Sequence, residues 1–123
     1  MAIMPSIRRI VMSTQEYPNQ VTLMGEVSSD LYYKKIGDND NSLCRFKVKT
    51  VEKFPSQEGK ERQNISNHQI ISWGKVADRV NTNFKAGSPI VVKGRLRNSK
   101  YTDKEGVEQF STAVEAIYVT SEL

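Results

Sequence analysis

"ISWGKVADRVNTNFKAGSPIVVKGRLRN", residues 71–98, decides the fold, because its hydrophobic period changes twice. Up to Trp73 apolar and polar residues alternate, closing a strand that begins in "ISNHQIISWG". From Lys75 to Ala86 the period lengthens. Val76, Val80 and Phe84 recur every four residues, one face of an amphipathic helix, and Gly87 follows as its stop. "SPIVVKGRLRN" then returns to a period of two, with Ile90, Val92 and Leu96 on one face. Strand, helix and strand follow one another within this stretch.

Upstream, "QVTLMGEV" sets Val21, Leu23, Gly25 and Val27 inward against Thr22, Met24 and Glu26. "GDNDNS" is a turn by composition. "LCRFKVKTV" alternates Cys44, Phe46 and Val48 with Arg45, Lys47 and Lys49, and "FPSQEGKERQN" reads as a long polar connection. Downstream, "SKYTDKEGVEQ" reads as a hairpin-like loop and "FSTAVEAIYV" as a last strand. Five strands with one helix between the third and fourth predict an all-β chain with one helix, a five-stranded OB-fold Greek-key barrel. The expected layout is an arm over 1–19, the barrel over 20–120 and a short end over 121–123.

Composition narrows the function. With 123 residues, 37% of them hydrophobic, the chain is one domain that can bury a core unaided. Its net charge of +4 suits a polyanionic partner, provided the cations are gathered on one surface. The single cysteine, Cys44, rules out an intramolecular disulfide and points to a reducing, cytoplasmic location. No apolar run approaches a membrane span. In "MAIMPSIRRIVMSTQ", Arg8 and Arg9 interrupt what would have to be the apolar core of a secretory leader. That opening reads as a disordered or strand-extending arm, with a mitochondrial presequence as the weaker alternative.

The cations are gathered. Arg45, Lys47 and Lys49 share one side of the second predicted strand, and Lys93, Arg95 and Arg97 one side of the fourth. At ~3.3 Å per residue each trio is a stripe about 13 Å long. Phe54 follows the first stripe, Trp73 closes the third strand, and Tyr101 follows the second stripe. A basic groove with flat rings is what binding a single strand without sequence preference requires, since phosphates supply the charge and every base has a π-face. Trp73 therefore reads as a stacking platform rather than a core anchor. Phe46, Phe84 and Phe110 fall on apolar faces and read as core.

Other chemistries fail on spacing. "DNDNS" imitates the start of a calcium loop, but Leu43 stands where that loop needs glycine and Lys49 where it needs its bidentate glutamate. Asn64-Ile65-Ser66 fits a glycosylation sequon without secretory context. There is no phosphate-cradling Gly-Lys-Ser/Thr loop, and one histidine with one cysteine makes no zinc site. His68 has Ser66 and Ser72 nearby but no third group to complete a catalytic set. Neither a metal, a cofactor nor a catalytic residue is expected.

Together, "VTLMGEVSSD", "FKVKTVEKF", "NHQIISWGKVADRV", "FKAGSPIVVKGRLRNSKYTDKEG" and "FSTAVEAIYV" resemble the bacterial and phage single-stranded DNA-binding protein family over residues 20–119. The resemblance implies an OB-fold homo-oligomer, a tetramer ahead of a dimer, that coats and protects single-stranded DNA in replication and recombination. It assigns Phe54, Trp73 and Tyr101 to stacking positions, Lys75, Arg97 and Lys100 to basic contact positions, and His68 to a subunit interface. Asn67 departs from a position that often holds a further ring. The chain also stops at Leu123 without the family's acidic tip, so tail-mediated recruitment of other proteins is not expected. These departures fit a phage, plasmid or organellar member, or a trimmed chain. The rival reading is an OB-fold protein-interaction module of a primosome-like complex. An OB-fold nuclease would need clustered carboxylates, and the acids here are scattered.

Overall fold

Branched and aromatic residues at every second position build the strands of the barrel body, and the computed structural model describes residues 18–37, 41–55 and 59–121. Most of the expected arm, residues 1–17, and the end, 122–123, lie outside the described residues. The elements are β1 (Val21–Val27), β2 (Tyr32–Ile36), β3 (Asn41–Pro55), β4 (Glu61–Trp73), α1 (Gly74–Asn83), β5 (Pro89–Thr102) and β6 (Glu108–Thr120). Their order in the sheet is β1-β5-β6-β4-β3-β2, and a further β1–β3 pairing closes five of them into a barrel. The β4–β6 pairing is parallel and the others are antiparallel. The helix lies between the third and fourth barrel strands, as the sequence predicts.

Closure depends on two glycines. β1 pairs with β5 through Val21 to Glu26, then with β3 through Glu26 and Val27. At that change of partner a Cβ on Gly25 would stand 1.9 Å from the carbonyl oxygen of Lys49. On the far side of the barrel a Cβ on Gly94 would stand 2.0 Å from the carbonyl oxygen of Glu115. There the β5–β6 register passes from Lys93↔Tyr118 to Gly94↔Ala116, so Ile117 is the extra residue of a bulge. Only a residue without a side chain lets the backbones approach this closely.

The inner faces fill the barrel. Cys44, Val48, Ile70, Val80 and Val92 are fully buried, together with Ala77 of α1, which plugs one end. Burial in apolar surroundings pushes the Cys44 thiol up to about 11. The helix stops at Asn83, three residues short of the expected Ala86. Phe84 is buried in extended backbone, and its N–H donates to the carbonyl of Val80. Gly87 lies in the following turn at φ +91°, where its N–H donates to the carbonyl of Val27 at 2.7 Å.

Five expectations are corrected. β2 is a sixth strand, hydrogen-bonded to β3 outside the closed ring. It is held to the body by Asp78 of α1, whose carboxylate accepts from Tyr33 Oη at 2.6 Å and from Ser42 Oγ at 2.5 Å. The Ser42 and Tyr33 hydroxyls, in that order, hold Asp78 below the usual carboxylate range. The polar connection after Phe54 and the loop after Ser99 are in large part paired strand. Phe54 pairs with Arg62 and Tyr101 with Gln109 across two long hairpin arms. Leu96 is half exposed rather than core, and Phe110 is 70% exposed. Leu96 lies at the edge of the barrel, opposite the buried Val114, and Phe110 where β5 and β6 run beyond it and the alternating inner face no longer has a layer to pack against.

Candidate nucleic-acid interface

The outer surface of the barrel is where the cations lie. Side chains of Arg45, Lys47 and Lys49 alternate with the buried Cys44, Phe46 and Val48 and so point outward. Lys93, Arg95 and Arg97 do the same on β5. The register links the two stripes. Tyr32 of β2 stands opposite Arg45 of β3, Arg45 opposite Ile71 of β4, Ile71 opposite Glu115 of β6, and Glu115 opposite Arg95 of β5. One row of outward side chains thus crosses five strands, about 19 Å at ~4.8 Å per strand spacing. Beside the row lies a cavity of about 340 Å³ lined by Arg45, Lys47, Gln69, Ile71, Ser99 and Ser111, among others.

Each cation has its own setting. Lys49 Nζ pairs with Glu26 of β1 at 2.7 Å, and Lys100 with Glu108 at 3.3 Å. Arg95 and Arg97 both pair with Glu115. The hydrogen bond from Arg97 is the first cause that holds the Glu115 carboxyl below its usual range, and in return it raises Arg97. Lys47, Lys75 and Lys93 pair with no carboxylate among the described residues. The guanidinium of Arg45 lies 5.0 Å from the centre of the Tyr32 ring, a cation–π contact.

The rings expected to stack are all at the surface but on different faces. Trp73 is half exposed at the end of β4, opposite the buried Leu43, and immediately precedes the first turn of α1. Tyr101 shares the outward side of β5 with Arg95 and Arg97, far along the β5–β6 arm. Phe54 lies on the β3–β4 arm. Alternation puts it with Thr50 and Glu52, on the opposite side of β3 from Lys47 and Lys49. The structure therefore brings Trp73, Arg45, Lys47, Arg95 and Arg97 onto one outer surface and leaves Phe54 on the reverse of its arm. Asn67, opposite Lys49, accepts a hydrogen bond from Ser28. His68 is half-buried, its Nε2 2.9 Å from Thr50 Oγ1.

Two residues of this surface were missed. Tyr32 sits at the head of the row, 51% exposed. Its signal in "LYYKKI" was the alternation of Leu31, Tyr33 and Lys35 against Tyr32, Lys34 and Ile36, too polar to stand out as a strand. Glu115 was hidden because its cationic partners are eighteen and twenty residues away in sequence. The β5–β6 arm is itself braced. Asp103 at its turn accepts from the backbone N–H groups of Glu105 and Val107 and from the Gln109 side chain. These bonds, led by that from Val107, hold its carboxyl below the usual range. At the other end of the arm Asn19 grips both backbone groups of Leu96, accepting from its N–H at 2.9 Å and donating to its carbonyl at 3.1 Å. Asn19 fell within the expected arm and is tied to the barrel.

Comparison with known proteins follows this geometry. A single-stranded DNA-binding protein of Xanthomonas campestris pv. campestris is 29% identical over 100 residues, 80% of this chain and 56% of its own length. Single-stranded DNA-binding protein 1 of Chlorobaculum tepidum is 28% identical over 97 residues, 78% of this chain and 59% of its own. The chain thus spans a little over half the length of these relatives. Among solved structures, a Plasmodium falciparum SSB in complex with ssDNA superposes with a TM-score of 0.74 at 18% identity, covering 84% of this chain and 90% of that one. The small single-stranded DNA-binding protein of Streptomyces coelicolor superposes with a TM-score of 0.69 at 15% identity, covering 87% and 97%. Both carry the same fold. The model of the single-strand binding protein family matches residues 18–120, from just before β1 to the end of β6. With the barrel, its late helix and its two long arms all inside that match, the chain belongs to the single-strand binding protein family.

Proposed function

We propose that this chain binds single-stranded DNA without sequence preference and acts by coating and protecting it during replication or recombination, with no catalytic step. One observation carries the reading: the outward row from Tyr32 through Arg45 to Arg95, with Lys47 and a cavity beside it, puts cations and an exposed ring on a single continuous surface. Phosphates meet Arg45, Lys47, Arg95, Arg97 and, around the barrel, Lys49 and Lys93. Bases stack on Trp73 beside Lys75, on Tyr101 with Lys100 on the reverse of the same strand, and on Phe54 where the strand wraps the β3–β4 arm. The relatives' names and the family support the ligand.

The working unit is a homo-oligomer, a tetramer ahead of a dimer, in the cytoplasm of a bacterial host; a phage or plasmid origin fits equally. Two features support assembly. His68 lies on β4 where the family resemblance places an interface, and Met24, Ile117 and Tyr118 are exposed apolar residues on the outside of β1 and β6. No helix of the described residues is long and apolar enough to cross a membrane.

The test is a titration of labelled oligo-dT and of a mixed-sequence oligomer across low to moderate salt. Each phosphate contact adds about −0.7 to the slope of log affinity against log salt. Similar affinity for both oligomers with a slope of several phosphates is the expected result. Duplex preference or a flat salt response would replace this reading with the protein-interaction module.

A further inference from the structure

Glu115 stands out among the acids of the outer surface. Four other carboxylates are bonded differently. Glu26, Glu61 and Glu108 each pair with one lysine, and every partner in those pairs is more than a third exposed. Asp103 serves the turn of its own hairpin. The Glu115 side chain is only 16% exposed and engages two arginines at once: Oε1 accepts from Arg95 Nη2 at 3.4 Å, and Oε2 from Arg97 Nε. It stands in the row itself, between Ile71 and Arg95, on strands that the close approach at Gly94 holds together. Three charged groups there present a net charge of one. A hydrogen bond between two ionised groups is about twice as strong as a neutral one, and a carboxylate less exposed than those of the other surface pairs is screened less by salt than they are. A phosphate that takes a full fork from Arg97 must compete with it.

We propose that Glu115 is a latch that sets affinity: it holds Arg95 and Arg97 in the free protein and releases them, at least in part, when a phosphate docks. The inference rests on the single-strand reading above. Its consequence is that the chain binds DNA more weakly, with a shallower salt dependence, than its count of surface cations implies. A protein that must be cleared from its strand gains from such a latch, because the carboxylate recaptures the arginines as each phosphate leaves.

The experiment compares wild type, Glu115→Gln, Glu115→Asp and Arg97→Ala, and the Gln and Ala changes combined, on oligo-dT over a range of salt. Melting curves check that each is folded. Glu115→Gln should bind about threefold tighter or more, the scale of coupling between groups in contact. Its salt slope should steepen by about 0.7 for each arginine freed. Glu115→Asp keeps the charge but shortens the reach to Arg97, so it too should bind tighter than wild type. Arg97→Ala should cost more in the Gln background than in the wild type. Asp binding like wild type while Gln binds tighter would reduce Glu115 to plain repulsion and overturn the latch. Equal cost of Arg97→Ala in both backgrounds would overturn it as well. Failure of wild type and Glu115→Gln alike to bind oligo-dT would bring down the single-strand reading and the latch with it. Tight, salt-dependent binding that no change at Glu115 alters would sink the latch alone.

Discussion

The barrel body and the two hairpin arms are built from the same strands, yet the same alternation does different work in each. In the body, Phe46 and Ile70 face each other across β3 and β4 and are buried, as are Val48 on β3 and Val92 on β5. Farther along those strands the same side of the chain carries Glu52, Phe54, Leu96 and Lys100, all exposed. Alternation decides which side a residue takes. Whether that side is buried depends on a second layer, and past Lys49 and past the Leu96–Val114 pair none is there. The body therefore supplies stability, and the arms supply surface.

The largest expected break in this contrast is Ile70→Ala. Removing a fully buried side chain leaves a cavity the barrel cannot close, at a cost of ~2–5 kcal/mol seen in denaturant melts. Phe110→Ala, a larger truncation on an arm, should shift stability by no more than about 0.5 kcal/mol. Similar losses for the two would mean that the arm packs against something in solution.

Next in size is the effect on binding. Trp73→Ala, Tyr101→Ala and Tyr32→Ala should each weaken oligo-dT binding by ~1–3 kcal/mol, the range for one lost base stack, while the melting temperature stays near wild type. Because Trp73 is the only tryptophan, its emission reports directly. Quenching by oligo-dT is expected, and unquenched emission with a collapsed melt would make Trp73 a core residue.

The smallest effect is that of acid on the arm. Asp103 is held below the usual carboxylate range by bonds that its ionised form accepts, so its contribution is complete above the unfolded value near 3.8 and is lost as pH falls toward the lowered folded value. Amide exchange of Val107 and Glu105 should quicken in that acidic window, and Asp103→Asn should quicken it already at neutral pH. Protection that is independent of pH would show that the turn holds without the carboxylate.

The sequence by itself determined the barrel strands, the late helix and the outward side of the two basic trios. All of these follow from local periods of two and nearly four, which any chain must obey to hide its apolar residues. The surface exposure of the Tyr101 and Trp73 rings was also legible, from the lysines and arginines around them. The tertiary structure decided what depends on distant partners. Tyr33, Ser42 and Asp78 meet only when helix and strand are docked, so β2 was not readable from its polar pattern. Leu96 and Phe110 obey the alternation and are still exposed, because strand length beyond the barrel is fixed by cross-strand hydrogen bonds rather than by hydrophobicity. The pairing of Glu115 with Arg95 and Arg97 likewise exists only through the β5–β6 register, which a bulge at Ile117 sets and no local pattern announces.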